Sequence, residues 1–306
     1  MDTITQEKAY EFYMLTNNTL TDMAEKRGIK KLNDYYELTD FNTCTEYGQL
    51  LNGLGKNTVA RVFVQMAFHA QNATLISKIV NFEKNIPFLK RVLCGFEPKK
   101  FLSEYREAES VVEVLRYDGD KQEGLKWNDH KNKRERKDSL ITGYAQALID
   151  CANYLKNFKD AEAVRVDLES HYVRSNNKMD YENLIEYFHG IIPHRFSIAL
   201  TCDFLKEFDT KFSDLCKPDI HVKDTLCALL GKKNGYYFTL KREYECIGQM
   251  QELVKLINEK LPKEEKITVY KLDRMIWLIC SGNFFLHNTK SIKDTYLTNI
   301  NDLVWA

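Results

Sequence analysis

Apolar residues recur at intervals of three and four along most of the chain, the spacing that gathers them on one face of an α-helix. Between Asn57 and Ala70 the set Val59, Val62, Phe63, Met66 and Ala70 follows this rule, and Asn57 or Thr58 stands where an N-cap is needed, so the segment predicts a buried helix. Leu75, Ile76, Ile79 and Val80 repeat the pattern behind Asn72 as a further cap. Asn85-Ile86-Pro87 ends that run and sets Pro87 in the first turn of another helix, whose inward residues are Phe88, Leu89, Val92 and Leu93 and whose stop is Gly95. Similar stripes are Leu140, Tyr144, Ala147, Leu148, Cys151 and Leu155, and later Leu253, Val254, Leu256 and Ile257. Strand-like alternation is confined to short pieces such as Gly235 to Leu240. The expected fold class is therefore all-α. The segment from Tyr117 to Ser139 breaks the periodicity with Gly119, Gly124 and a basic run of Lys131, Lys133, Arg134, Arg136 and Lys137, and reads as an exposed, solvated loop.

A length of 306 residues suits about two lobes, and 44% hydrophobic residues with 29% charged ones suit packed cores with a soluble surface. Lys and Arg together number 44, as do Asp and Glu, so any polyanionic partner has to be held by a local patch rather than by bulk charge. The eight cysteines are scattered singly and form no CxxC pair, which argues against a zinc ribbon and a four-cysteine iron–sulphur cluster. The same scatter argues against a disulfide framework, and Met1-Asp2-Thr3-Ile4 is not a basic and then apolar leader. The longest apolar stretches, such as Met275 to Cys280, are too short to span a bilayer. The expectation is a cytoplasmic protein with reduced thiols and no membrane contact.

Residues Tyr181 to Leu230 are the most informative. Leu184, Ile185 and Phe188 face inward on a short helix that is expected to end at Gly190, and a tight turn leads to a second helix carrying Phe196, Ala199, Leu200 and Phe204. Amides at the start of that second helix would suit a phosphate oxygen, a contact that positions a nucleic acid without reading its sequence. Lys217-Pro218-Asp219-Ile220-His221-Val222 follows, with Pro218 fixing an extended approach and Asp219 at the start of the next helix.

These segments resemble the helix-hairpin-helix DNA glycosylase superfamily, which includes endonuclease III and the alkylpurine and oxidised-guanine glycosylases. His189-Gly190-Ile191-Ile192-Pro193 is similar to the family's hairpin, and Pro218-Asp219-Ile220-His221-Val222 is similar to the segment that carries its catalytic aspartate. Upstream, Val62 to Lys78 resembles an early helix whose closing turn supplies a glutamine to the gap left by a flipped nucleotide, and Gln71 is the matching position. Leu272-Asp273-Arg274-Met275-Ile276-Trp277 resembles a closing helix of some members. The likeness runs from about Val59 to Phe285. It departs at Ile192, which replaces the second hairpin glycine, and at His194 and Arg195, which stand where bifunctional members carry a Schiff-base lysine. The four-cysteine cluster of some members is missing as well.

The resemblance implies two helical lobes around a cleft, one over residues 51–216 and ending in the helix-hairpin-helix, the other built from 1–50 with 217–306. It implies a monofunctional base-excision repair enzyme that works as a monomer, without cofactor or metal, on double-stranded DNA holding a damaged or mismatched base. Breaking an N-glycosidic bond builds positive charge on the sugar, which a carboxylate beneath the anomeric carbon stabilises; Asp219 is the candidate. Gln71, Gly190, Ile192, His194, Arg195 and His221 are the candidate DNA contacts. The same residues have plain structural readings beside these. An aspartate after a proline is by itself an N-cap, His221 is a helix-face residue, His194 and Arg195 are solvated turn residues, Gln71 is an ordinary loop residue, and Trp277, Phe284 and Phe285 are core. Two other functions remain open: a helix-hairpin-helix protein that binds DNA without catalysis, and a helical protein-interaction module.

Overall fold

The computed structural model describes residues 4–30, 32, 45–72, 75–127, 134–172, 174–175, 178–179, 181–283 and 290–305. The described chain is all-α, with one short antiparallel pairing of Arg174–Ser175 with Lys178–Met179 and two isolated bridges. It divides into two compact units, a central one of Asn42–Phe204 and an outer one that joins Met1–Phe41 to Leu205–Ala306. The chain passes from the first to the second within the helix Ile198–Phe208.

At the middle of the central unit lies the helix Val59–Ala70, in which Val62, Phe63, Val64, Met66, Ala67 and Ala70 are all fully buried. A helix with apolar residues on every side must be surrounded to be stable. It packs along the 22-residue helix Arg134–Leu155, where the Tyr144 hydroxyl donates to the Ala67 carbonyl at 3.3 Å. Of the two expected caps Thr58 is the one used, its hydroxyl accepting from the Arg61 amide at 3.2 Å. Pro87 stands in the first turn of Ile86–Val92, and Gly95 follows with a left-handed backbone, φ 72°. The helices Tyr181–Ile191 and Ile198–Phe208 are tied together by Phe188, Phe196 and Phe204, whose ring centroids lie 5.2, 5.3 and 6.2 Å apart. Burying each such ring is worth about 1.5–3 kcal/mol, enough to fix the two helices' mutual placement.

In the outer unit the helix Gln6–Glu25 packs along Leu240–Lys260 and Val269–Ser281, while Ile220–Leu229 packs on Val269–Ser281 and Lys293–Trp305. Thr16 and Tyr296 share a buried hydroxyl hydrogen bond of 2.8 Å, and of the expected stripe Leu253, Val254 and Ile257 are buried while Leu256 is half-buried. Gly282, left-handed at φ 68°, closes Val269–Ser281. Trp277 in that helix is half-buried with the Arg274 guanidinium 4.8 Å from its ring, and Phe284 and Phe285 lie outside the described residues. The described cysteines are free thiols, and no helix among the described residues is long and apolar enough to cross a membrane.

Two expectations are corrected. The segment beginning at Tyr117 is not simply a solvated loop: the Tyr117 amide donates to Leu125 O at 3.0 Å and the Leu125 amide to Leu115 O at 2.8 Å, closing a compact turn. Within that turn Gly124 has φ 112°, and a Cβ there would lie 2.6 Å from the Arg116 carbonyl oxygen. The end of the basic run then opens the helix Arg134–Leu155, because Arg134, Glu135, Arg136 and Lys137 are good helix formers. Lys131 and Lys133 lie outside the described residues. Gly235 to Leu240 is likewise no strand. Gly235, at φ 85°, starts a 3-10 turn over Tyr236–Phe238, and Thr239 sits at the N-cap of Leu240–Lys260.

Candidate active site

Asp219 is the N-cap of the helix Ile220–Leu229. The buried Pro218 before it fixes the approach, and Asp219 itself is extended at φ −86°, ψ 179°. Its Oδ1 accepts from the amides of His221 at 2.8 Å and Val222 at 3.1 Å. Capping thus occupies one oxygen, and no described residue donates a hydrogen bond to Oδ2. The structural and the chemical reading of this half-exposed carboxylate are therefore compatible.

The segment that delivers Asp219 is anchored from behind by Asp273, on Val269–Ser281. Its Oδ2 accepts from the Lys217 amide at 2.8 Å and from Lys206 Nζ at 2.6 Å. Lys206 and Asp273 are each 2% exposed. Burial pushes the Asp273 carboxyl above its ordinary range, Lys206 opposes that rise, and the charge on Asp219 adds to it. His221 is half-buried, and desolvation lowers its pKa against the pull of Asp219, so the ring is neutral at neutral pH. Its Nδ1 is buried and makes no hydrogen bond among the described residues. Asp224, paired with Lys293 at 2.6 Å, completes the charged surroundings.

In the central unit the hairpin differs from its expected form. Gly190 does not end the helix, which continues to Ile191; Gly190 is exposed and keeps an ordinary helical backbone. The left-handed residue of the turn is Arg195, at φ 68°. Ile192 cannot offer the expected phosphate contact from this position, because its amide donates to Phe188 O at 2.9 Å and its side chain is fully buried. An apolar β-branched side chain gains more by joining the core there than by adopting glycine's conformation. The amides of His194, Arg195 and Phe196 have no acceptor among the described residues. His194 is exposed and its Nδ1 lies 2.7 Å from Asp150 Oδ2, while His189 Nδ1 lies 2.9 Å from Phe196 O.

Arg195 reaches inward. Its Nε donates to Ala70 O at 3.3 Å, one terminal nitrogen is buried without a partner among the described residues, and burial lowers its pKa. This brings the hairpin to the C-terminus of Val59–Ala70, next to Gln71. Gln71 is itself 4% exposed and its Oε1 accepts from the Phe82 amide at 3.1 Å. A plug entering a duplex would have to abandon that bond. Gln71, Gly190, Ile192, His194 and Arg195 thus belong to the central unit, Asp219 and His221 to the outer one.

Sequence reasoning gave no role to Lys206, Asp273 or Asp150, and passed over the buried contact of 3.5 Å between His69 Nδ1 and Asp203 Oδ2. One signal was available: Lys206 stands four residues after Cys202, and Asp273 four after Val269 and three before Ile276, so each is a charge at the spacing of an inward face. Compared with models of known protein families, with curated proteins and with solved structures, the chain matches none.

Proposed function

We propose that this chain is a monofunctional DNA base-excision glycosylase, which extrudes a damaged or mismatched base and hydrolyses its N-glycosidic bond with Asp219 as the essential carboxylate. The observation that carries the reading is the state of Asp219: a carboxylate held rigidly through Oδ1 at a helix start, with Oδ2 taken by no described residue. Such a group stabilises positive charge developing on the sugar and orients the attacking water, a contribution of about 3–4 kcal/mol from one well-placed group. Support comes from the resemblance of the hairpin and aspartate segments, and from the anchoring of Lys217 by Asp273, which limits how far the carboxylate can wander. At the hairpin, the amides of His194, Arg195 and Phe196 suit a phosphate oxygen, since a left-handed residue in a turn helps successive amides converge on an anion. Gln71 and Ile192 take no part in this reading while their side chains stay buried.

The test is base release from duplexes holding single oxidised, alkylated, deaminated or mismatched bases, by the native protein and by Asp219→Asn. Asn caps a helix as well as Asp, so the substitution removes charge and spares the fold. Release that falls several hundredfold in the variant supports the proposal. The buried Ile192 favours a second reading, a DNA-binding protein without catalysis, which predicts duplex binding and no release from any substrate.

A further inference from the structure

From the end of the helix Ile220–Leu229 into the first turn of Leu240–Lys260 runs Gly231-Lys232-Lys233-Asn234-Gly235-Tyr236-Tyr237-Phe238-Thr239-Leu240-Lys241-Arg242, which holds four cations and three aromatic rings and no acid, in a chain of zero net charge. The segment is folded tightly, with the Lys232 amide donating to Cys227 O at 2.9 Å, the Tyr236 amide to Lys233 O at 3.0 Å and Arg242 Nη1 to Tyr236 O at 3.3 Å. The backbone is therefore fixed, and two of the cations are held at one ring. Arg242 lies 3.7 Å and Lys232 5.6 Å from the centre of the Tyr236 ring. Among the described residues none of Lys232, Lys233, Lys241 and Arg242 is paired with a carboxylate, and the acids that follow in sequence are engaged: Glu243 with Lys223, and Glu245 with the Tyr236 hydroxyl. Phe238 is 53% exposed although it follows the fully buried Tyr237. The Lys223 ammonium sits 5.0 Å from its centroid, and much of the rest of the ring meets solvent.

We infer that this segment is a binding surface for an unpaired stretch of nucleic acid, with a base stacked on Phe238 and the backbone phosphates held by Lys232, Lys233, Lys241 and Arg242. Rings beside unpaired cations are what single strands require, since every base has a face to stack and every linkage a charge to neutralise. An acidic protein segment would use the cations and leave the ring without a partner. A membrane surface needs a broader apolar face than one exposed phenyl ring. The surface shares a ligand class with the proposed glycosylase reading and goes beyond it, since it needs neither Asp219 nor base release.

The experiment is fluorescence anisotropy of a labelled oligothymidylate at low salt and through a salt titration, with native protein, Phe238→Ala, Phe238→Trp, Lys232→Ala/Lys233→Ala and Asp219→Asn. Phe238→Ala is expected to bind about tenfold more weakly or worse, and Phe238→Trp at least as tightly as native protein. The double lysine variant is expected to lower the slope of log affinity against log salt by about 1.4, two phosphate contacts' worth. Asp219→Asn is expected to bind as native, so failure of base release leaves this result standing. Lys232, Lys233 and Phe238 lie between the two helices, and unchanged urea midpoints keep the comparison among folded proteins. Absence of binding by the native protein at low salt overturns the inference, as does native affinity in both the Phe238→Ala and double lysine variants. Binding to anionic lipid vesicles, with the same sensitivity to Phe238→Ala and no binding to the oligonucleotide, overturns it in favour of a membrane surface.

Discussion

Lys206 and Asp273 form a 2.6 Å ion pair inside the outer unit, with each side chain 2% exposed, and Asp273 spends the same oxygen on the amide of Lys217. The pair therefore fixes the backbone two residues before Asp219. Removing one partner strands a charge in the interior, which costs about 3–5 kcal/mol. Lys206→Met is expected to destabilise the protein by that order in urea unfolding. Lys206→Met/Asp273→Asn is expected to recover much of the loss, because the amide oxygen of Asn still accepts from Lys217 and no charge remains.

The pH dependence of the single variant follows from Asp273. Its folded pKa is raised above 3.8, by burial first, and loss of Lys206 raises it further. A carboxyl with a raised folded pKa binds its proton more tightly in the native state, so stability is greater at low pH and is lost as pH rises through the folded value. The gap between native protein and Lys206→Met is thus expected to narrow on acidification. A gap that is constant with pH would contradict the assignment of Asp273 as the stranded charge.

Asp219 serves the fold whatever its chemistry, and two substitutions separate the roles. Asp219→Ala removes the acceptor for His221 and Val222 and is expected to cost about 0.5–2 kcal/mol, whereas Asp219→Asn is expected to stay near native stability. Thermal or urea midpoints of the two variants provide the check. Equal losses in both would mean that the carboxylate charge, rather than the cap, stabilises this helix start.

The all-α class and most helix starts were legible because they depend on local chemistry: the three-and-four spacing around Val62 and Phe63, the hydroxyl of Thr58, the ring of Pro87. The hairpin was less so. Gly190 signals a helix stop only if the chain turns there, and the turn instead falls after the buried Ile192, with Arg195 taking the left-handed backbone. The burial of Ile192 is a tertiary gain that a local signal does not contain. Asp219 was readable as a cap from Pro218 and the helix behind it. Its anchor was not, because Lys206, Lys217 and Asp273 are far apart in sequence and meet only through the packing of the outer unit.

Gln71 offers a test of where sequence likeness and burial diverge. Its Oε1 satisfies the buried Phe82 amide, and leaving such a donor unpaired costs about 1–3 kcal/mol. Gln71→Ala is expected to lower stability by that amount while leaving duplex affinity unchanged at a temperature where the variant is folded. An affinity loss without a stability loss would mean instead that this side chain works outside the core.

His221 reports on Asp219 from two residues away. Desolvation lowers its folded pKa below 6.5, while Asp219 and Asp224 pull upward and Lys293 and Lys217 push down. A depressed folded pKa means that the unfolded chain takes up the proton first as pH falls, so the contribution to stability is complete above pH 6.5 and is lost on acidification through the folded value. His221→Gln is expected to flatten this acid limb, by well under about 1.4 kcal/mol per pH unit because the ring is only half-buried. Asp219→Asn deletes one of the upward pulls, and the His221 ring proton followed by NMR is expected to titrate at a lower pH in that variant than in the native protein. A titration unmoved by Asp219→Asn would mean that the two groups are electrostatically independent despite their adjacency, and that burial alone sets the state of the imidazole.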